Sequence, residues 1–143
     1  MVTNTSLIQL NSYDDNYGSL IAVEESDTIP FEIKRVYYIF DVEDGRRRGF
    51  HSHRQLQQAL VCVHGSVKIL IKTPFQEEIV TLDNPRQALL VGPMVWREMY
   101  DFTPDAVLLV FASEHYCVED YIRNYEQYEK EAIAFFKEKE HEK

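Results

Sequence analysis

The sequence predicts an all-β barrel or sandwich closed by one C-terminal α-helix, and three observations predict it. From Leu7 to about Ser113, short β-branched and aromatic runs follow one another, each broken by turn-forming residues, which is the pattern of many short strands. After Tyr116 the period changes, and Val118, Tyr121, Ile122, Tyr125, Tyr128, Ala132 and Phe135 recur at helical spacing between charged residues. The 143 residues show no internal repeat and no low-complexity linker. One domain over 1–143 is therefore expected, with the barrel over about 5–115 and the helix over about 117–138.

Taken in order, strands are expected at 18–22, 34–42, 49–53, 57–63, 66–72, 77–82, 87–91, 96–102 and 106–112. The breaks between them have a mechanism, because Gly tolerates positive φ and Pro fixes φ while withholding a donor. They fall at Asp14 and Asp15 with Asn16, at Asp44-Gly45, His64-Gly65, Asp83-Asn84-Pro85, Gly92-Pro93 and Thr103-Pro104-Asp105. The aromatic stripe of the helix reads as a face packed on the barrel or on a partner subunit.

Composition narrows the function classes. An apolar content of 45% can build one core without disulfide or metal staples. A net charge of −9 argues against a nucleic-acid backbone or an anionic membrane as partner, since both repel an acidic surface. The local basic clusters are Lys34-Arg35 and Arg46-Arg47-Arg48, either exposed turns or donors to a small anionic ligand such as a phosphate group. Cys62 and Cys117 have no metal-binding spacing, and neither a signal nor a transit pattern opens the chain, which reads as cytoplasmic with free thiols. No apolar run approaches the ~20 residues of a membrane span.

His51 and His53 are the most informative pair. Positions two apart on a strand share a face, so both imidazoles converge on one cavity if that face lines the barrel, and are plain surface residues if it does not. Gly45, His51, His53, Gln58 and Gly65 resemble the first cupin signature, with Gln58 in its acidic position. The run from Gly92 to Arg97 resembles the second, with Arg97 where a metal-binding cupin carries its last histidine. This resemblance implies a cupin (jelly-roll) β-barrel. An amide and a cation standing at two ligand positions argue against a bound metal, which leaves His51 and His53 to act as acids and bases near neutral pH.

A longer set of motifs resembles the sugar 3,4-ketoisomerases of the cupin superfamily that act on dTDP-4-keto-6-deoxyglucose, and more distantly the dTDP-sugar 3,5-epimerases. They are Tyr17-Gly18-Ser19-Leu20, the run from Ile29 to Tyr38, the run from Arg48 to His53, Val91-Gly92-Pro93, the run from Val95 to Met99, and Asp120-Tyr121-Ile122-Arg123. The resemblance implies a homodimer with exchanged β-strands, a dTDP-linked 4-keto-6-deoxy sugar as substrate, and a role in making a 3-amino-3,6-dideoxyhexose for a bacterial surface glycan. The ketone moves from C4 to C3 through an enediol, a redox-neutral change needing no nicotinamide, in keeping with the lack of a glycine-rich dinucleotide motif.

His51 is the expected proton-transfer residue, with His53 its partner or a donor to the other face. Tyr37, Gln58 and Arg97 are candidate donors to the developing oxyanion. Tyr37 shares a strand face with Arg35, a plausible clasp for sugar and diphosphate. Arg48 faces away from His51 in an ideal strand but stays a candidate phosphate ligand through its place in the motif. Tyr17 and Arg97 match the gluco-forming branch, which implies dTDP-3-keto-6-deoxy-D-glucose as product. Alternatives are a 3,5-epimerase, a non-catalytic nucleotide-sugar-binding cupin, or an iron-dependent oxygenase. His64 and His115 read as structural or solvated, and Trp96 and Glu98 as packing residues.

Overall fold

The computed structural model describes residues 1–141; Glu142 and Lys143, within the expected domain, lie outside the described residues. The strands are β1 (Thr5–Gln9), β2 (Ser12–Asp15), β3 (Gly18–Ile21), β4 (Arg35–Phe40), β5 (Arg48–His53), β6 (Gln58–His64), β7 (Val67–Lys72), β8 (Glu77–Leu82), β9 (Gln87–Val91), β10 (Trp96–Tyr100), β11 (Val107–Ala112) and β12 (Tyr121–Ile122). One helix, α1 (Tyr125–His141), follows them. Two antiparallel sheets face each other in the orders β1-β9-β6-β11-β4 and β12-β5-β10-β7-β8, while β2 and β3 form a separate hairpin. This is the jelly-roll barrel of the cupin type.

Alternation decides which side chains fill it. In β7, Val67, Ile69 and Ile71 point inward and are fully buried against Leu60 and Cys62 of β6, Leu89 of β9 and Leu108 and Val110 of β11. Each buried aliphatic side chain of this kind stabilises the fold by roughly 1.5–3 kcal/mol. The unbroken apolar run of β6 has a separate cause, because Ala59 and Val61 on its outer face are covered by Ile29 and Phe31 of the segment before β4. A strand buried on both faces loses its polar alternation.

The helix begins later than its periodicity predicts. Tyr121 and Ile122, expected to be helical, instead pair with His53 and Ser52 at the edge of β5. The chain turns only at Asn124, whose side-chain oxygen accepts the Gln127 amide at 3.0 Å as an N-cap. From there Tyr128, Ala132 and Phe136 pack on Met94, Trp96 and Ile122, and the Tyr128 hydroxyl donates to the Met94 carbonyl at 2.9 Å. No described helix is long and apolar enough to cross a membrane.

Two further expectations change. The first strands, β1 and β2, begin before the predicted series, and Asp14 and Asp15 lie inside β2 rather than in a break. Their carboxylates are occupied locally: Asp15 accepts the Tyr17 amide at 2.7 Å, and Asp14 accepts from Ser12 at 2.6 Å and Arg86 at 3.2 Å. The turn is thereby moved to Asn16 and Tyr17.

Candidate active site

The site is built on β5, β4 and β10, and a bulge in β5 shapes it. Arg97 of β10 pairs with His51, but the next residue, Glu98, pairs with Gly49, so Phe50 is an extra residue in the ladder. Gly49 at φ 93° and Phe50 at φ 56° carry the left-handed backbone that this insertion needs. A Cβ on Gly49 would stand 2.9 Å from the Arg97 carbonyl oxygen. The extra residue resets the alternation, so Arg48 and His51 line one cavity although their spacing places them on opposite faces of an ideal strand.

That cavity, of about 350 Å³, is lined by Arg35, Tyr37, Arg48, His51, Tyr121 and Arg123 together with Ile39, Gly49, Met99 and Tyr116. A second, of about 250 Å³, holds His53, His115, Cys117 and Asp120 on its wall and shares Arg35, Tyr116 and Tyr121 with the first. Tyr121 packs against both histidines, its ring centroid 5.1 Å from that of His51 and 4.2 Å from that of His53. The two imidazoles meet edge to face at 4.8 Å. Three arginines around one cavity in a chain of net charge −9 make it a local anion site.

Behind this wall Arg97 is fully buried. It donates to the Gln58 side-chain oxygen and, at 2.9 Å, to the Val95 carbonyl. Gln58 in turn donates through Nε2 to the Tyr37 hydroxyl at 2.9 Å. Burial lowers Arg97 to about 10, which leaves it cationic at neutral pH.

The same burial, followed by the Arg97 charge, lowers His51 from its ordinary 6.5 to about 4. His53 is 1% exposed and held far below the usual imidazole range by burial, then by Arg97 and His51. Asp120 lies 3.3 Å from His53 Nδ1, too poorly aligned for a hydrogen bond, so neither His53 nitrogen has a hydrogen-bond partner among the described residues. The Asp120 carboxylate is fixed elsewhere, by the amides of Gln55 at 2.9 Å and Leu56 at 3.2 Å. Both imidazoles are therefore neutral at pH 7, able to accept a proton. The donor set does not fit a divalent ion: the Gln58 oxygen is held by a cation, and no three His, Cys, Asp or Glu side chains cluster among the described residues.

Residues 3–133 match the model of the FdtA family, described as WxcM-like, C-terminal. The chain belongs to this family. It is 46% identical over 94% of its length, and 96% of the relative's, to the TDP-4-oxo-6-deoxy-alpha-D-glucose-3,4-oxoisomerase of Aneurinibacillus thermoaerophilus. It superposes with a TM-score of 0.93 on QdtA, a sugar 3,4-ketoisomerase from Thermoanaerobacterium thermosaccharolyticum in complex with TDP. There the identity is 51%, over 95% of this chain and 99% of the other. A histidine-to-asparagine variant of QdtA is in complex with TDP-4-keto-6-deoxyglucose. The WlaRB TDP-quinovose 3,4-ketoisomerase of Campylobacter jejuni gives a TM-score of 0.87 at 42% identity, over 90% and 99% of the two chains.

Of the residues singled out in this family member's sequence, Arg35, Tyr37, Arg48 and His51 share one cavity, and His53 lines its neighbour. Gln58 and Arg97, expected to touch substrate, are buried behind Tyr37, hydrogen-bonded to each other, and line neither cavity. Tyr17 lines neither cavity either; it is 98% exposed at the tip of the β2–β3 hairpin. Sequence reasoning missed Tyr121, Arg123 and Asp120 as cavity residues, because their periodicity was absorbed into the helix. His115, expected to be solvated or structural, lines the second cavity, while His64 is exposed beside Asp105. Trp96 packs against α1 and donates to Glu98 at 2.9 Å.

Proposed function

We propose that this chain is a sugar 3,4-ketoisomerase converting dTDP-4-keto-6-deoxy-D-glucose to dTDP-3-keto-6-deoxy-D-glucose by proton transfer through an enediol. The observation that carries it is a neutral, cavity-facing His51 beside Tyr37, with Arg35, Arg48 and Arg123 around the same space. His51 removes the C3 proton, and the C–H electron pair becomes the C3=C4 double bond while O4 takes a proton. Loss of the O3 proton then forms the C3 ketone as C4 is protonated. The arginines hold the diphosphate. His53 braces His51 edge to face and stays out of the sugar cavity.

The activities printed for the relatives support the substrate and the reaction. A relative named for TDP-quinovose, a gluco-configured sugar, supports the gluco product. That product requires deprotonation on one ring face and protonation on the other. We further infer a homodimer with exchanged β-strands. The outer face of edge strand β4 exposes Val36, Tyr38 and Phe40, and Tyr17 projects from a hairpin outside both sheets. An uncovered apolar edge strand is a pairing surface. The exchange would bring Tyr17 to the second subunit's cavity. The reading also places the enzyme in the cytoplasm, supplying a 3-keto sugar for conversion to a 3-amino-3,6-dideoxyhexose of a bacterial surface glycan.

Incubation with dTDP-4-keto-6-deoxyglucose in heavy water, followed by NMR of the product, tests the reading. A C3 ketone with deuterium at C4 in the gluco configuration is expected. Deuterium at C5 would instead assign a 3,5-epimerase, and nucleotide-sugar binding without turnover a non-catalytic module.

A further inference from the structure

We propose that Gln58 is a positioning residue: its amide sets the direction of the hydrogen-bond chain from Arg97 to Tyr37, so that the Tyr37 hydroxyl proton is aimed into the cavity that holds His51. The inference rests on the ketoisomerase reading above and assigns to that reaction the group that protonates O4.

The argument is one of polarity. A guanidinium has five N–H donors and no acceptor. Arg97 is fully buried, so whichever atom of the Gln58 amide faces it must be the oxygen. The amide nitrogen is then forced toward Tyr37, where it donates at 2.9 Å. The Tyr37 oxygen accepts that bond, and its own proton cannot point back along it. Tyr37 lines the His51 cavity, and with Gln58 occupying the other side of its oxygen the direction left open to the proton is the cavity. Burial holds the Tyr37 hydroxyl above its ordinary 10, and the Arg97 charge and the Gln58 hydrogen bond both oppose that rise, easing proton release at the moment the oxyanion forms.

The proton inventory closes. As the C3–H bond breaks, its electron pair forms C3=C4, the carbonyl π pair moves onto O4, and O4 takes the Tyr37 proton. In the second half the O3–H pair forms the C3 ketone, the C3=C4 pair takes a proton at C4 from water on the opposite face, leaving hydroxide, and the Tyr37 phenolate regains the O3 proton. The His51 imidazolium gives the C3 proton to solvent, which neutralises that hydroxide and restores the base.

A carboxylate at position 58 reverses the chain. It would accept from both Arg97 and Tyr37 and draw the phenolic proton away from the cavity. Gln58→Glu has the same shape as the parent, whereas Gln58→Leu offers Tyr37 neither donor nor acceptor. A merely steric role therefore ranks Glu nearer the parent than Leu, and the polarity role ranks it further away. The experiment measures turnover of TDP-4-keto-6-deoxyglucose by the parent, both variants, Tyr37→Phe and the Tyr37→Phe/Gln58→Glu double variant. A chelator is present throughout, and thermal unfolding checks each protein. For Gln58→Glu, kcat is expected to fall about 100-fold or more with KM within about threefold, as for loss of one oxyanion donor. Gln58→Leu should lose less, and Gln58→Glu should cost less than about threefold in the Tyr37→Phe background. A Glu variant as active as the Leu variant, or one whose full loss persists without the Tyr37 hydroxyl, overturns the proposal. If the Leu variant does not fold, the comparison across the two backgrounds decides alone. An inactive parent would sink the ketoisomerase reading itself, whereas an active parent with the wrong variant order sinks this inference only.

Discussion

Lowering the pH from about 7 to about 5 should destabilise the fold by about 2 kcal/mol through His51 alone. Burial and the Arg97 charge hold this imidazole at about 4 in the folded chain, against 6.5 when unfolded. Between those values the unfolded chain binds a proton that the folded chain refuses, so stability falls as pH falls through 6.5 and the loss is complete below about 4. At ~1.4 kcal/mol per pH unit the whole interval is worth ~3 kcal/mol, of which ~2 kcal/mol is lost by about pH 5. His53, held lower still, acts in the same direction and keeps acting below that interval. Urea unfolding at about pH 7 and about pH 5, at one protein concentration, measures the loss in the parent and in His51→Asn. Surface carboxylates contribute alike to both proteins and cancel. The parent should lose ~2 kcal/mol more than the variant. Equal losses would show that His51 is not held neutral by its surroundings, and would remove the argument for it as the base.

Four other outcomes follow from the geometry. His51→Asn should lower kcat by about 10²–10⁴-fold, the usual worth of a positioned base, while calorimetry finds TDP affinity changed by no more than a few-fold. Gly49→Ala puts a methyl group 2.9 Å from the Arg97 carbonyl at a φ of 93°; it should destabilise by about 1–3 kcal/mol in thermal melts and weaken turnover by shifting Arg48 and His51 together. Asp120→Asn replaces one of two oxygens that accept the Gln55 and Leu56 amides, so unfolding should show a loss of about 1–3 kcal/mol. His64→Ala, at an exposed turn, should stay within about 0.5 kcal/mol of the parent with kcat unchanged.

Much of the barrel was legible because strand alternation is written in the chain. Val67, Ile69 and Ile71 mark an inward face without help from tertiary structure, and β8 and β9 fall where the pattern places them. What escaped was set by partners distant in sequence. Tyr121 and Ile122 fit a helix by spacing, and only the exposed edge of β5 makes them a strand. Arg48 and His51 have the wrong parity for one cavity until a bulge adds a residue. That bulge is hinted at by Gly49 but is decided by the close approach of β10. Gln58 and Arg97 were recognisable as departures from a metal-binding pattern. Their mutual hydrogen bond, which withdraws both from the cavity, depends on β6 and β10 lying in opposite sheets.

The placement of Arg97 links these observations. A guanidinium buried with only an amide and a backbone carbonyl as hydrogen-bond partners is held at an electrostatic disadvantage, which the Asp120 carboxylate offsets only in part. Its charge acts on the groups around it, helping to lower His51 and His53 and opposing the rise of Tyr37. On the imidazoles it disfavours protonation and so keeps a base available at neutral pH. On the tyrosine it favours the anion and so eases proton release. An enediolate forming between these groups carries negative charge in the same field, and a fixed cation in a dry setting stabilises such charge without reorganising at the moment of reaction. On the proposed mechanism Arg97 would serve base, acid and intermediate at once from behind the wall, leaving the cavity itself free for the sugar.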